Sequence, residues 1–415
     1  MKIFYRLTFI LVFLVIFGAI VAYARGYRID FDKKSLTPTG IISVSSSPKA
    51  AKIFVNDVLK GVTDTNLTLP PGTYKVDIKK DGYTSYSKGV SLKGELVVSI
   101  DALLFPVNST FSPLTNLGLV KAIPVGDTEK VIIFVDKEST EEDAEKSGIY
   151  LFEGGRKPLP FFPPLTTIIL KNSFPPDMDF SRAKVTISPD AKEAIFEFGL
   201  IGDYADTPPG LAYLLSLEDE NPTPFDVSQS KKALIEAWNK QKLDNNLKVL
   251  ETYPDDFYKI ASDSVEILSF APSETKLLYK ANKNLILPPM ITPALIATNQ
   301  TPEQRSLEKG KIYVYDKKED KNYLITTTEH FADKNDSIVV PKDDIRWYFD
   351  SRHLLVNQGK KIVVIDYDDT NKQTVYSGPY DSSFFTTTED GKIITLSNLN
   401  PEVNKWPDLY LIGTR

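Results

Sequence analysis

Apolar and polar positions follow three regimes along the chain. The first is an uncharged run over residues 7–24 (LTFILVFLVIFGAIVAYA), with Lys2 and Arg6 before it and Arg25 and Arg28 after it. Eighteen residues rise about 27 Å as a helix, enough to cross a hydrocarbon core. The run therefore predicts one membrane-spanning signal anchor within residues 1–25. A cleaved signal peptide is the alternative, because Ala22-Tyr23-Ala24 has the A-x-A form of a cleavage site. The run is longer than the usual apolar region of such a peptide, which favours the anchor. On either reading, the bulk of the chain is expected outside the cytoplasm.

A spacer at 26–37 leads into the second regime, residues 38–106, where apolar positions alternate with period two. One alternating run ends at Pro48 and another at Asn56-Asp57. Leu67-Thr68-Leu69 runs into Pro70-Pro71-Gly72, and Tyr74, Val76 and Ile78 then share one face. Seven short strands punctuated by Gly and Pro predict a small antiparallel β-sandwich. Gly72 in the Pro-Pro-Gly turn is expected to need positive φ.

The third regime, residues 107–415, is a degenerate repeat. A small or apolar residue, an Asp-bearing turn, a basic residue and a β-run recur at Val125-Gly126-Asp127, Ser188-Pro189-Asp190, Ala271-Pro272-Ser273, Phe349-Asp350-Ser351 and Glu389-Asp390-Gly391. A second β-run follows each, as in Tyr313-Val314-Tyr315 and Leu409-Tyr410-Leu411. Such meanders cannot bury both faces alone, so they must stack around an axis. This predicts a β-propeller-like domain of at least five blades, with room for a sixth between 155 and 182 or within an insert. The turn positions 127, 190, 273, 350 and 390 are unevenly spaced, whereas a blade takes about 40–50 residues. The excess is assigned to a helical insert at about 228–243, with Leu234, Ile235 and Trp238 on one face, and to a Pro-rich loop at 284–309. Two separate sandwiches are the structural alternative.

Two resemblances rest on these residues. Residues 40–44, Ser47-Pro48-Lys49-Ala50-Ala51, Ile53-Phe54-Val55-Asn56, Gly61, Leu69-Pro70-Pro71-Gly72-Thr73-Tyr74 and Asp81-Gly82-Tyr83 resemble a PEGA domain, with Pro48-Lys49-Ala50-Ala51 in place of the four signature residues. The resemblance implies a non-catalytic β-sandwich of bacterial envelope proteins and carries over no catalytic residue. The repeated turn resembles the Ser-Pro-Asp-Gly turn of TolB-like propellers, with Ser273 in place of Asp and Gly kept only at Gly391.

Composition then removes chemistries. The chain of 415 residues has no cysteine, so it holds no disulfide, thiolate nucleophile or cysteine-based zinc site. Its two histidines are His330 and His353, and its net charge is -6, which argues against broad nucleic-acid binding. His353, just after a turn, reads as a structural histidine, and His330 has no obvious partner. Asp366-Tyr367-Asp368-Asp369-Thr370-Asn371 lacks the glycine and distal glutamate of an EF-hand and reads as a hairpin turn. The acidic run 138–145 reads as a solvated loop. No nucleophile elbow, P-loop, zinc-protease or dinucleotide fingerprint is found. The expectation is an all-β, non-catalytic protein anchored in a membrane by its N-terminal helix. It has no catalytic, metal or cofactor residues, and it binds an envelope protein or glycan at the cell surface. A propeller-type hydrolase of surface carbohydrate, with two facing carboxylates, is the alternative.

Overall fold

The computed structural model describes residues 2–24, 27–30, 35–137, 145–154, 165–202, 210–296, 298–326 and 344–414. They form two compact units: Met1–Asn108 with Ile291–Pro302, and Ser109–Met290 with Glu303–Arg415. Sequence places that boundary two residues earlier and assigns residues 291–302 to the second unit; the structure moves them to the first.

The first unit opens with helix α1 (Lys2–Ala24). Its segment Phe4–Val21 has a mean hydropathy of 2.4 and is unburied throughout. Leaving so many apolar side chains in water is unfavourable, whereas a hydrocarbon core of this thickness suits them. The expected spacer carries a short hairpin, β1 (Tyr27–Asp30) with β2 (Ser35–Pro38).

Seven strands then follow: β3 (Gly40–Ser47), β4 (Lys52–Val55), β5 (Val58–Val62), β6 (Thr65–Leu69), β7 (Gly72–Lys79), β8 (Tyr86–Leu92) and β9 (Val97–Leu103). They make two sheets, ordered β6-β3-β9 and β5-β4-β7-β8. Their inward faces bury Ile42, Val44, Ile53, Val55, Val76, Ile78, Val90 and Ile100 in one core. Asn56 and Asp57, at φ 47° and 64°, make the two-residue turn between β4 and β5, the backbone that hairpins favour. Two expectations need correction. The sandwich is not wholly antiparallel, since β3 and β9 pair in parallel from Ile41↔Val97 to Ser47↔Leu103. Gly72 is not among the residues with positive φ, whereas Gly82 is, at 80°. Gln300 lies against the free edge of β8, and its side-chain amide bonds both the N–H and the C=O of Ser91.

The second unit is a ring of five four-stranded antiparallel sheets. Blade 5 takes its outermost strand, β10 (Phe111–Pro113), from the start of the unit. Blade 1 is β11 (Leu119–Pro124), β12 (Lys130–Val135), β13 (Gly148–Glu153) and β14 (Leu165–Leu170). Blade 2 is β15 (Met178–Ile187), β16 (Glu193–Leu200), β17 (Leu211–Ser216) and β18 (Phe225–Asp226). Helices α2 (Lys231–Leu250) and α3 (Asp255–Ser264) follow. Blade 3 is β19 (Val265–Phe270), β20 (Lys276–Ala281), β23 (Ile312–Asp316) and β24 (Lys321–Leu324), interrupted by the short pair β21 (Leu285–Ile286) and β22 (Ser306–Leu307). Blade 4 is β25 (Ile345–Trp347), β26 (His353–Asn357), β27 (Ile362–Asp366) and β28 (Gln373–Tyr376). Blade 5 is completed by β29 (Asp381–Thr387), β30 (Ile393–Ser397) and β31 (Asp408–Ile412), and β31 pairs with both β30 and β10. Among the described residues there are five blades and no sixth, because 165–170 and 178–187 belong to blades 1 and 2.

All five repeated motifs sit at one place, the turn between a blade's first and second strands, and all five second runs are third strands. Strand alternation explains the stacking. Ile132 and Phe134 join the blade 2 core, whereas Val131, Ile133 and Val135 join the blade 5 core. Blades 3 and 4 meet through Leu278, Val314, Leu354 and Val363. Between blades 2 and 3 the filling is helical. Leu234, Ile235 and Trp238 of α2 cover Ile195 and Ala212 of blade 2. Leu250, Tyr253 and Phe257 cover Leu277, Tyr279, Tyr313 and Tyr315 of blade 3. The predicted helix is thus real, runs seven residues further than expected, and is joined by a second.

Candidate functional site

In an antiparallel blade, successive connections alternate between two ends, so the propeller has two chemically different faces. The first-to-second-strand turns mark the base. All five are five residues long: 125–129, 188–192, 271–275, 348–352 and 388–392. In four of them the fourth residue is left-handed: Ala191, Glu274, Ser351 and Gly391, at φ 54–83°.

Hydrogen bonds run from turn to turn around this base. Ser273 N–H donates to Ser351 Oγ at 2.9 Å. The Tyr348 hydroxyl donates to the Gly391 carbonyl at 2.7 Å, and Glu389 N–H donates to Glu129 Oε2 at 3.1 Å. Arg346 of blade 4 donates to the Gly126 carbonyl of blade 1 at 2.9 Å and lies 3.6 Å from Asp127. Blade 5 separates those two blades in the ring, so the guanidinium, which passes over the Phe385 ring, spans the axis at its base.

His353 opens β26 just after the blade 4 turn and is buried. Its Nδ1 lies 2.6 Å from Asp350 Oδ2 and its Nε2 3.1 Å from Asp366 Oδ1. Burial works against the charged ring, but the hydrogen bonds it donates to the Asp350 and Asp366 carboxylates overcome it and push the pKa up to about 9. The ring joins the base turn to the end of the third strand. Lys276–Asp316 at 3.2 Å and Lys130–Glu153 at 3.6 Å fill the same register position in blades 3 and 1. The cation–carboxylate pair is thus a repeated structural feature. The stretch Asp366 to Asn371 is a turn: Thr370 Oγ1 and Asn371 Nδ2 both donate to Asp366 Oδ2, at 3.2 and 2.9 Å. Among the described residues no cluster of three metal-ligating side chains occurs. His330 and residues 138–144 lie outside the described residues.

The opposite face carries the second-to-third-strand and blade-to-blade connections. Among the described residues they range from four (358–361 and 377–380) to the helical 227–264, and include 171–177 and 398–407. Large exposed apolar side chains of the propeller gather there too: Leu200, Ile201, Leu243, Ile286, Leu399 and Val403, with Phe225 the exception. Because these connections can lengthen away from the strands, this face can acquire recognition surface without disturbing the ring.

One cleft opens on this face. Its volume is about 460 Å³, and its walls are α2 (Asn239, Lys242, Leu243, Asn246, Leu247), α3 (Ala261, Ser262), the first residues of β19 (Val265, Glu266, Ile267) and Asn282. Glu266 is its one carboxylate. A second cavity, of about 610 Å³, lies in the first unit beside β8; its ionisable lining residue is Lys93. Sequence reasoning missed the first cleft because its walls come from three separate elements. The available signal was the recurrence of Asn239, Leu243 and Asn246 on one helical face.

Comparison with known proteins bears mainly on the first unit. Residues 39–108 match the family profile described as the PEGA domain, and no curated protein matches the chain. Among solved structures, a protein described as TolB from Agrobacterium tumefaciens shares 11% identity, with 71% of this chain and 72% of that chain covered and a TM-score of 0.20. The Dos1 propeller shares 10%, with 94% and 82% covered and a TM-score of 0.20. An oligogalacturonate lyase in complex with manganese shares 11%, with 85% and 81% covered and a TM-score of 0.20. Superpositions this poor carry no argument, and the propeller assignment stands on strand order and ring closure. Residues 39–108 thus match the PEGA domain, and the described residues of the same chain form a five-bladed β-propeller.

Proposed function

We propose that this is a non-catalytic, membrane-anchored envelope protein that binds a partner through the long-loop face of its propeller. The observation that carries the reading is the asymmetry of the ring. At its base the five first-to-second-strand turns are all five residues long, and four of them are linked by hydrogen bonds. Its other face holds the longest connections and, among the described residues, six of the seven large exposed apolar side chains of the propeller. Exposed apolar residues concentrated on one surface mark interaction sites.

Two further features support the reading. The exposed apolar α1 is long enough to span a bilayer, and the PEGA resemblance points to placement outside the cytoplasm. Against the hydrolase alternative, the cleft on this face offers Glu266 alone, whereas glycoside hydrolysis uses a pair of carboxylates.

The test uses the full chain in its own membranes. It should resist salt and carbonate extraction. Chemical crosslinking in envelope fractions should yield an adduct that is lost in an Ile201→Asp/Val403→Asp variant and kept in a Lys192→Ala variant at the base. An adduct lost equally in both variants, or in neither, refutes the face assignment.

A further inference from the structure

We infer that the outer edge of β8, in the sandwich of the first unit, takes up an extended peptide by strand addition, and that a strap of the same chain, residues 291–302, holds that edge in the peptide's absence. The inference concerns the first unit alone and is independent of the propeller-face reading above. It starts from the sheet order. The sheets run β6-β3-β9 and β5-β4-β7-β8, so β8 and β9 are outermost strands. The outer edge of a sheet is a template for a further strand unless something covers it.

What covers β8 shows the chemistry that its edge accepts. Ser91 N–H donates to Gln300 Oε1, and Gln300 Nε2 donates to the Ser91 carbonyl at 2.8 Å. A side-chain amide carries a donor and an acceptor side by side, so Gln300 fills the place of one residue of a neighbouring strand. Gly89, two residues earlier, turns its N–H and C=O to the same edge. Its ladder partner Lys75 exchanges hydrogen bonds with Asn56 on the opposite side, which makes Lys75 and Gly89 a pair without mutual bonds. One added strand would bond Ser91 and Gly89 through alternate residues. The strap bonds Ser91 through a side chain and leaves Gly89 exposed.

The cavity beside β8 sets the side-chain preference. Val90, Leu96 and Val98 of the sandwich line it, with Ala294, Leu295 and Ile296 of the strap. Its volume of about 610 Å³ falls in the range of ligand sites. The strap fills it incompletely, since Leu295 is 45% and Ile296 73% exposed. In an added strand, the residue between the two that bond Ser91 and Gly89 lies opposite Val90, and its side chain points to the inner face. An aliphatic residue there enters the cavity, so main-chain bonds supply affinity and one apolar pocket selectivity. The strap holds its place by tethering. Its ends are fixed where Met290 N–H donates to Asp320 Oδ2 at 2.7 Å and Glu303 pairs with Arg305 at 2.9 Å. A tether of this kind gives a local concentration on the order of millimolar, which lets weak contacts suffice.

The test uses the full chain in detergent micelles and a fluorescent synthetic peptide of alternating threonine and valine. In one variant, residues 294–300 are replaced by a Gly-Ser sequence of equal length. That variant should bind the peptide saturably, and the parent about tenfold more weakly because its own strap competes. Methylating the threonine nitrogens, which face β8 when valine enters the cavity, should weaken binding about tenfold, whereas methylating the valine nitrogens should not. Amide exchange at Ser91 should speed up in the variant and slow again with peptide, while unchanged protection of Val76 and Ile78 shows that the sandwich is folded. A folded variant that takes no peptide, equal binding by parent and variant, or equal binding of the two methylated peptides overturns the proposal. A variant that dimerises and takes no peptide also overturns it, and assigns the edge to a second copy. Should the replacement unfold the sandwich, the Gln300→Ala chain decides. It should bind the peptide about threefold more tightly than the parent, and no gain would sink the inference.

Discussion

Replacing Asp408 with alanine should loosen the ring at its closure. Asp408 opens β31, the strand that joins the end of the propeller to β10 from its beginning. Its Oδ1 accepts from Thr115 Oγ1 at 2.9 Å, Leu117 N–H at 2.7 Å and Gly118 N–H at 3.1 Å. Thr115 Oγ1 in turn accepts from Leu409 N–H at 2.9 Å. One carboxylate thus fixes the loop that carries the chain from blade 5 into blade 1. A hydrogen bond to a charged group contributes about 1.5–3 kcal/mol. Three donors share one half-buried oxygen, so the loss is about 3 kcal/mol rather than three separate bonds. For a domain of this size that lowers Tm by about 5 °C. Asp408→Asn keeps an oxygen acceptor and should lose about a third as much. Scanning fluorimetry of the full chain in detergent reads both. An alanine variant melting within 1 °C of the parent would refute the latch, and an asparagine variant as weak as alanine would refute its hydrogen-bond basis.

Two other perturbations follow from the base turns. His353 has a folded pKa of about 9, above its ordinary value, so the stability it contributes is fully present below about pH 6.5 and is lost as pH rises through about 9. That is about 3 kcal/mol by linkage, and the fall in Tm over that window should be flattened in His353→Gln. On the acid side, Asp350 is held below the usual carboxylate range although burial opposes this, chiefly by its bond to His353, so its contribution is lost as pH falls through that lowered value. Glu274→Gly should raise stability by about 0.5–1 kcal/mol in urea unfolding, because Glu274 sits at φ 54° where a side chain is strained. Gly391→Ala should lower it, since a methyl group there overlaps the Tyr348 hydroxyl and the Phe349 ring.

What the sequence revealed was local. An Asp-bearing turn followed by a β-run is specified by adjacent residues, so all five base turns and third strands were legible from Val125 to Leu411. Pairings set by distant partners were not. The parallel contact of β3 with β9 joins residues 56 apart, as at Ile41 and Val97, and no turn announces it. Asp408 looks like one more strand residue until its three donors, about 290 residues away, are in place. Helix α3 did leave a signal, Pro254 followed by Asp255 and Asp256 in its first turn, but ten residues between long patterns are easily read as loop. The expected strain at Gly72 failed for a related reason: β7 begins at that residue, so it is extended rather than turned.

The same reasoning makes the helices part of the ring rather than ornaments on it. The longest interval between repeat turns, from 190 to 273, contains α2 and α3. Their apolar residues cover the faces that blades 2 and 3 would otherwise turn to water. Phe257 is the test of that role. It is 1% exposed and stacks on Tyr315 with ring centroids 3.8 Å apart, while Tyr253 packs beside both. Truncating a buried phenylalanine costs about 3–5 kcal/mol, so Phe257→Ala should lower Tm by about 5–8 °C. Replacing 228–264 with a short Gly-Ser linker should do more, exposing Leu277, Tyr279, Tyr313 and Tyr315 together and sending the propeller into aggregates. Were the helices a separable decoration, Phe257→Ala would leave the near-ultraviolet tyrosine signal of blade 3 and the melting temperature unchanged, and the linker variant would remain monomeric; either outcome would mean that blades 2 and 3 can close on each other without the wedge.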